Sequence, residues 1–203
     1  MTKKIGKFLT VPTLAIGLLL LADSSWGSPP EDAEFADGRM TGGGSVFTDE
    51  NDFFVPAGTR VTHGFQLHCD PALTPNNLQV DIHLPDGGGL RFHLEELVVA
   101  LCWNDPESDP RPPAAPFDHY WGSGVGRLDG EEGFCADWIF TDEGEPGTED
   151  RIELLRIWQG IWNEEDLIWV CSGDGEFFFS ILLKDGHTLT FGNHQAHRQR
   201  GEK

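Results

Sequence analysis

Histidines and carboxylates are where this chain comes nearest to chemistry. His68, His83 and His93 fall on the polar faces of three successive stretches that alternate apolar and polar residues. If those stretches form a meander, the three rings share one sheet surface. Neutral imidazole suits zinc or copper, and a three-histidine site leaves a position open for water or substrate. A further pair, His194-Gln-Ala-His197, has i, i+3 spacing near the C-terminal end. The plainer reading is dispersed surface histidines, because a one-residue slip in register turns each ring to the opposite face. His63 differs: it shares a face with Val61, Phe65 and Leu67, the position of a hydrogen-bonded core histidine.

Carboxylates crowd the stretch from Asp142 to Asp150, with Glu143, Glu145 and Glu149 between them. A turn dense in Asp, Glu and Gly can wrap calcium with side-chain and carbonyl oxygens. Asp142, Glu143, Glu145 and Asp150 are the candidate ligands; their order is not that of an EF-hand loop. The alternative is a solvated acidic turn. Thr48 to Asp52 forms a second oxygen-rich loop. Paired carboxylates could serve a glycosidase, but so many are present that no pair stands out. Tryptophans raise a third possibility, stacking on sugar faces. Trp121, Trp158 and Trp162 are the candidates for exposed rings, whereas Trp138 and Trp169 occupy inward positions of alternating stretches. The chain contains no H-E-x-x-H, P-loop or dinucleotide fingerprint. Trp121-Gly-Ser-Gly-Val125 matches a nucleophile elbow only in part, since Trp121 replaces its first glycine. Gly122, Gly124 and Gly126 read better as places where a strand bends or another segment approaches closely.

Strands must position these residues. Period-2 alternation runs through 61–69, 78–84, 90–94, 134–140 and 167–171, with apolar runs at 151–158, 177–183 and 187–191. Breakers separate them at 71–77, 85–89, 106–116, 142–150 and 172–175. Glu95 to Trp103 reads as a continuing strand because of Val98, Val99 and Cys102. The pattern predicts an all-β fold, an antiparallel β-sandwich of about eight to ten strands. The four cysteines have no C-x-x-C spacing and read as disulfides, Cys69–Cys102 and Cys135–Cys171, each tying two strand ends.

Residues 1–27 have the layout of a cleaved export signal: Lys3, Lys4 and Lys7, then an apolar run from Phe8 to Ala22, then Ser25-Trp-Gly27. That run is short for a bilayer span. Residues 28–38 read as a flexible acidic leader, 39–197 as one β-domain, and 198–203 as a loose basic tail. Without residues 1–27, which hold three lysines and one aspartate, 11 basic and 33 acidic side chains remain, a formal charge of −22. Such a chain repels phosphate backbones, which excludes nucleic acid as a natural partner. The expectation is an exported protein, extracellular, on the cell surface or periplasmic, with no membrane insertion of its own after cleavage.

Several segments together carry a resemblance. They are Gly38-Arg-Met-Thr-Gly-Gly-Gly-Ser45, His63-Gly-Phe-x-Leu-x-Cys69, Pro75-Asn-Asn-Leu78 and Arg91-Phe-His-Leu94. Pro112-Pro-Ala-Ala-Pro-Phe-Asp118, Phe140-Thr-Asp-x-Gly-Glu-Pro-Gly-Thr148 and Gly192-Asn-His-Gln-Ala-His197 follow in order. In combination these resemble the post-choice-of-anchor type of module, found in secreted bacterial proteins beside choice-of-anchor surface domains. The resemblance spans about Gly38 to His197 and implies an extracellular or surface β-domain, with no catalytic residues to carry over. It includes His93, His194 and His197 but not His68 or His83, so it shifts the metal reading to the first three. Cys135, Cys171 and residues 173–190 depart from its pattern.

The Gly-rich start and the GNHQAH end could also seal the fold, with a strand from Arg39 lying beside a last strand that ends at Phe191. Asn193 and Gln195 would then satisfy backbone groups at the seam. The leading functional reading is a non-catalytic secreted or surface domain for binding or display, with calcium as a candidate stabiliser and an unknown surface or extracellular ligand. The alternatives are a copper- or zinc-binding protein or metalloenzyme, and a carbohydrate-binding module.

Overall fold

A computed structural model describes residues 35–50, 52, 55–106, 115–165, 168–171 and 177–198, the side chains of 177–186 excepted. The expected signal at 1–27, most of the leader and the end of the tail lie outside these residues. The fold is all-β and antiparallel. In chain order the strands are β1 (Arg39–Phe47), β2 (Arg60–His68), β3 (Asn77–His83), β4 (Gly89–Trp103), β5 (His119–Leu128) and β6 (Glu131–Thr141). Then come β7 (Arg151–Gln159), β8 (Ile161–Asn163), β9 (Ile168–Val170), β10 (Phe177–Thr188) and β11 (Phe191–His197). Glu95 to Trp103 is strand, as expected. No described helix is long and apolar enough to cross a membrane.

Nine strands form one continuous sheet in the order β10-β7-β6-β5-β4-β3-β2-β1-β11, curled into a half-barrel, and among the described residues β8 pairs only with β9. One curled sheet therefore does the work assigned to two stacked sheets. The physical reason lies in the inward faces of β1 and β5. A Cβ on Gly122 would strike the indole of Trp138, and one on Gly126 would strike the ring of Phe92. These glycines leave room for large rings, so the sheet can bend tightly around its own core. Shifts in register along β4–β5, β5–β6, β6–β7 and β7–β10 add curvature. Trp138, Tyr120, Phe92 and Phe140 are fully buried in that core, with Leu67, Leu78, Val80 and Leu155 among them.

The disulfides Cys69–Cys102 and Cys135–Cys171 both form. The first ties the chain just after β2 to the end of β4; the second ties β6 to the residue following β9. The last residues of the expected leader are not loose: Phe35 bridges Trp103, and the Ala36 amide donates to the Cys102 carbonyl at 2.9 Å. Gly38 accepts from the Cys69 amide at 2.9 Å. Pairing with the disulfide-bonded corner orders this segment.

Candidate functional site

β2, β3 and β4 do form a meander, but its register separates the histidines. His93 pairs with Gln79, while His83 pairs with Gly89 and Arg60, four residues further along β3. His68 lies at the far end of β2, its ring Nδ1 3.2 Å from Asn76 Oδ1. Nor are His93, His194 and His197 brought together. His93 is exposed on the outer face, His194 is buried inside, and His197 Nε2 meets Thr41 Oγ1 at 2.8 Å. Burial, and then the Arg39 charge, lower the His197 pKa, against Asp142. Among the described residues no three His, Cys, Asp or Glu side chains form a group able to hold a metal.

The seam of the half-barrel is where His194 acts. β1 pairs with β11 from Arg39↔His197 to Ser45↔Phe191, so the last strand begins at Phe191 rather than ending there. Close approach of these strands needs glycine at Gly42 and Gly44, where a Cβ would strike β11 backbone. His194 Nδ1 donates to the Thr141 carbonyl at 2.8 Å, since a carbonyl can only accept. Its Nε2 is then bare and accepts from His63 Nε2–H at 2.7 Å. His63 Nδ1 is left as a buried acceptor without a partner among the described residues. Phe65 and Phe140 pack around both rings. Burial drives the His194 pKa down to about 4, against the Thr141 carbonyl. Burial and then His194 hold His63 well below its usual value. The core-histidine expectation for His63 holds, with a second histidine as its partner.

The acidic turn serves the same seam. Asp150 accepts from the His194 amide at 2.6 Å and the Glu143 amide at 2.9 Å. Asp142 accepts from the Ala196 amide at 2.6 Å and the Gly144 amide at 2.8 Å. Glu145 accepts from Gln195 Nε2 at 3.0 Å. His194 and Ala196 are alternate residues of β11, so the two aspartates cap backbone donors along an edge strand. The expectation that Asn193 and Gln195 would do this is corrected: carboxylates do it. Burial, joined by the charges of Asp142 and Glu145, raises Asp150 to about 6 against its two amide hydrogen bonds; burial also raises Asp142.

Sequence reasoning missed a third cluster. His119 Nδ1 meets Asp118 Oδ1 at 2.7 Å, its Nε2 lies 3.4 Å from Glu153 Oε1, and its ring stacks on Trp103. Burial pulls its pKa down, but the two carboxylates outweigh that and hold it at about 9. An imidazolium held between these carboxylates is suited to joining β5 and β7. Glu153 lies far from the Asp118-His119 pair in sequence, and no local spacing signals their meeting.

The candidate tryptophans all lie on or above the outer face. Trp121 is half-buried against Trp103, Ile139 and Leu154; Trp158 is buried; Trp162 is 43% exposed. Trp162 sits on the β8–β9 hairpin, edge to face with Trp169 at 5.2 Å and 62° between planes. Trp169, expected inward, instead lies over Gly133, whose positive φ of 87° and missing Cβ admit the ring. The other hairpin face presents Ile161, Ile168 and Val170, which are 49%, 53% and 39% exposed. The disulfide at Cys171 and a 2.8 Å bond from the Gly160 amide to the Gly133 carbonyl fasten both ends of the hairpin to β6. Two short Ile-Trp stretches, Ile161-Trp162 and Ile168-Trp-Val170, flanking Glu164 and Glu165 are the signal that could have found it.

A groove of about 590 Å³ also runs over the outer face, lined by Asp81, His83, Arg91, His93, Arg127 and Asp129. Its cations are already paired. Arg91 meets Asp81 at 2.5 Å, and Arg127 meets both Glu95 and Glu132 at 2.5 Å. No family model, curated protein or solved structure matches the chain.

Proposed function

We propose that this chain is an exported, non-catalytic β-domain for binding or display, of the post-choice-of-anchor type, with the β8–β9 hairpin as its contact surface. One observation carries the reading. A hairpin fastened by a disulfide holds Ile161, Trp162, Ile168 and Val170 against solvent. Clustered apolar exposure of this kind marks interaction surfaces. Two disulfides fit an oxidising compartment outside the cytoplasm. The resemblance along Gly38 to His197 supports the same location. The histidine pair lies inside an apolar core, which suits support of the seam better than turnover.

The test is a screen of the oxidised protein against glycans, peptides and vesicles, beside Ile161→Ser with Val170→Ser. At least one ligand should bind the wild type and be lost in the variant, with the melting temperature held. If every interaction found is indifferent to the substitutions, the hairpin is not the contact surface. The carbohydrate reading is less favoured because Trp162 and Trp169 meet edge to face, whereas sugar stacking wants a coplanar platform. Asp142 and Asp150 close the seam in this reading, in place of calcium ligation. A chelator should then leave the melting temperature within about 1 °C, because only a ligand bound to the folded state stabilises it. A fall of several degrees would restore calcium to the turn.

A further inference from the structure

We infer that the β8–β9 hairpin takes a cationic, extended polypeptide segment, Lys or Arg alternating with apolar residues, added as a third strand along an open edge. The inference rests on the binding-domain reading and names its partner. β8 and β9 pair with each other alone among the described residues, so no described strand lies along either outer edge. Soluble proteins usually blunt such edges with charge or cover them. Here the strands carry Ile161, Trp162, Ile168 and Val170, and an incoming strand would find backbone partners and apolar contact together.

Charge selects the partner. Glu164 and Glu165 are exposed in the hairpin turn, and Glu131 and Glu132 are exposed beside Gly133, on which Trp169 rests. Arg127 draws Glu95 to the same corner, but it is shared between Glu95 and Glu132. The rim is therefore apolar in the middle and negative around it. A second copy of this chain, formal charge −20, repels the first. Anionic lipid and phosphate are repelled for the same reason. A cationic segment with apolar residues on alternate positions matches both the patch and its rim. The Cys135–Cys171 bridge and the Gly160–Gly133 bond hold the edge in place before binding, which lowers the ordering cost.

The probe is a capped nine-residue peptide alternating lysine with valine, fluorescently labelled, with a glutamate-for-lysine counterpart as its control. Anisotropy titration of the oxidised full chain should give a Kd on the order of 10 μM for the lysine peptide. Binding should be at least about tenfold tighter than for the glutamate peptide and should weaken as salt shortens electrostatic reach. Ile161→Ser with Val170→Ser should loosen it about tenfold. Glu164→Lys with Glu165→Lys lies in an exposed turn and should leave the melting temperature unchanged while shifting preference toward the glutamate peptide. No binding of the lysine peptide, equal binding of both peptides, or binding indifferent to these variants overturns the inference. A glycan or vesicle that binds through the hairpin when the lysine peptide does not would remove this partner and leave the binding-domain reading standing. Hairpin variants that change nothing would remove both.

Discussion

His63 and His194 share one proton between their Nε2 atoms, and this makes stability depend on pH. The folded pKa of His194 is lowered to about 4, against 6.5 for the free side chain. The unfolded chain therefore binds more protons between those values, and stability falls as pH drops from 6.5 toward 4. Asp150 works the other way. Its folded pKa is raised from 3.8 to about 6, so its contribution falls as pH rises through that interval. A tenfold change in proton affinity on folding is worth about 1.4 kcal/mol. Asp150 is as buried as the two histidines, but two lowered imidazoles at one site stand against it, so the histidines set the net sign. Urea unfolding at pH 6.5 and 4.5 should show the wild type less stable at the lower pH. In His63→Leu with His194→Leu that loss should vanish or reverse, exposing the Asp150 trend. An unchanged slope would mean that other groups titrate there. Only His63 was legible at this scale, from its apolar face; the pairing depends on residues 131 positions apart.

β11 stays on the sheet through β1 on one side and two aspartates on the other. Asp150→Ala removes the acceptor for the His194 and Glu143 amides and should cost about 1–3 kcal/mol, less whatever the raised carboxylate already cost. Hydrogen exchange should report this locally: the His194 amide accelerates while Val80, in mid-sheet, holds. Uniform acceleration would mean that the seam and the sheet open together. An inward glycine on β5 and an exposed one on β2 give a matched pair of tests. Gly122→Ala drives a methyl group into the buried Trp138 ring and should destabilise by about 1–3 kcal/mol. Gly64 has nothing within 4 Å of a Cβ, and Gly64→Ala should be neutral or stabilise by about 0.5 kcal/mol. Equal effects in urea unfolding would show that the inward faces do not shape the curl. The alternation that predicted the strands is local and was legible. The tightness of the curl depends on which ring faces which glycine, and that is not.

Across the whole molecule the two disulfides divide the labour. Their sequence separations are 33 and 36, so each loop closure is worth roughly 3–4 kcal/mol on chain-entropy grounds. Cys69→Ser with Cys102→Ser should loosen the corner where β2, β4 and the Phe35–Gly38 segment meet. Cys135→Ser with Cys171→Ser should cost a similar amount in urea and in addition release the hairpin, read as a red shift in Trp162 and Trp169 emission. Emission that does not move would mean that packing on Gly133 alone holds the hairpin. In the proposed binding role, that release should also weaken any hairpin ligand.

Local chemistry determines much of this protein from sequence alone. Period-2 alternation and glycine-rich breaks specify an antiparallel all-β chain, and cysteines without close spacing specify disulfides at strand ends. Only the tertiary structure decided the rest, because register and closure are relations between distant residues. It separated His93 from His194 and His197, since neighbouring positions on different strands meet only in one register. It brought backbone amides of β11 and of the turn itself to Asp142 and Asp150, since a carboxylate bonds whatever donors the fold brings to it. It also carried Trp169 and its neighbours out of the core, where Cys135 and Gly133 gave them a place on the outer face.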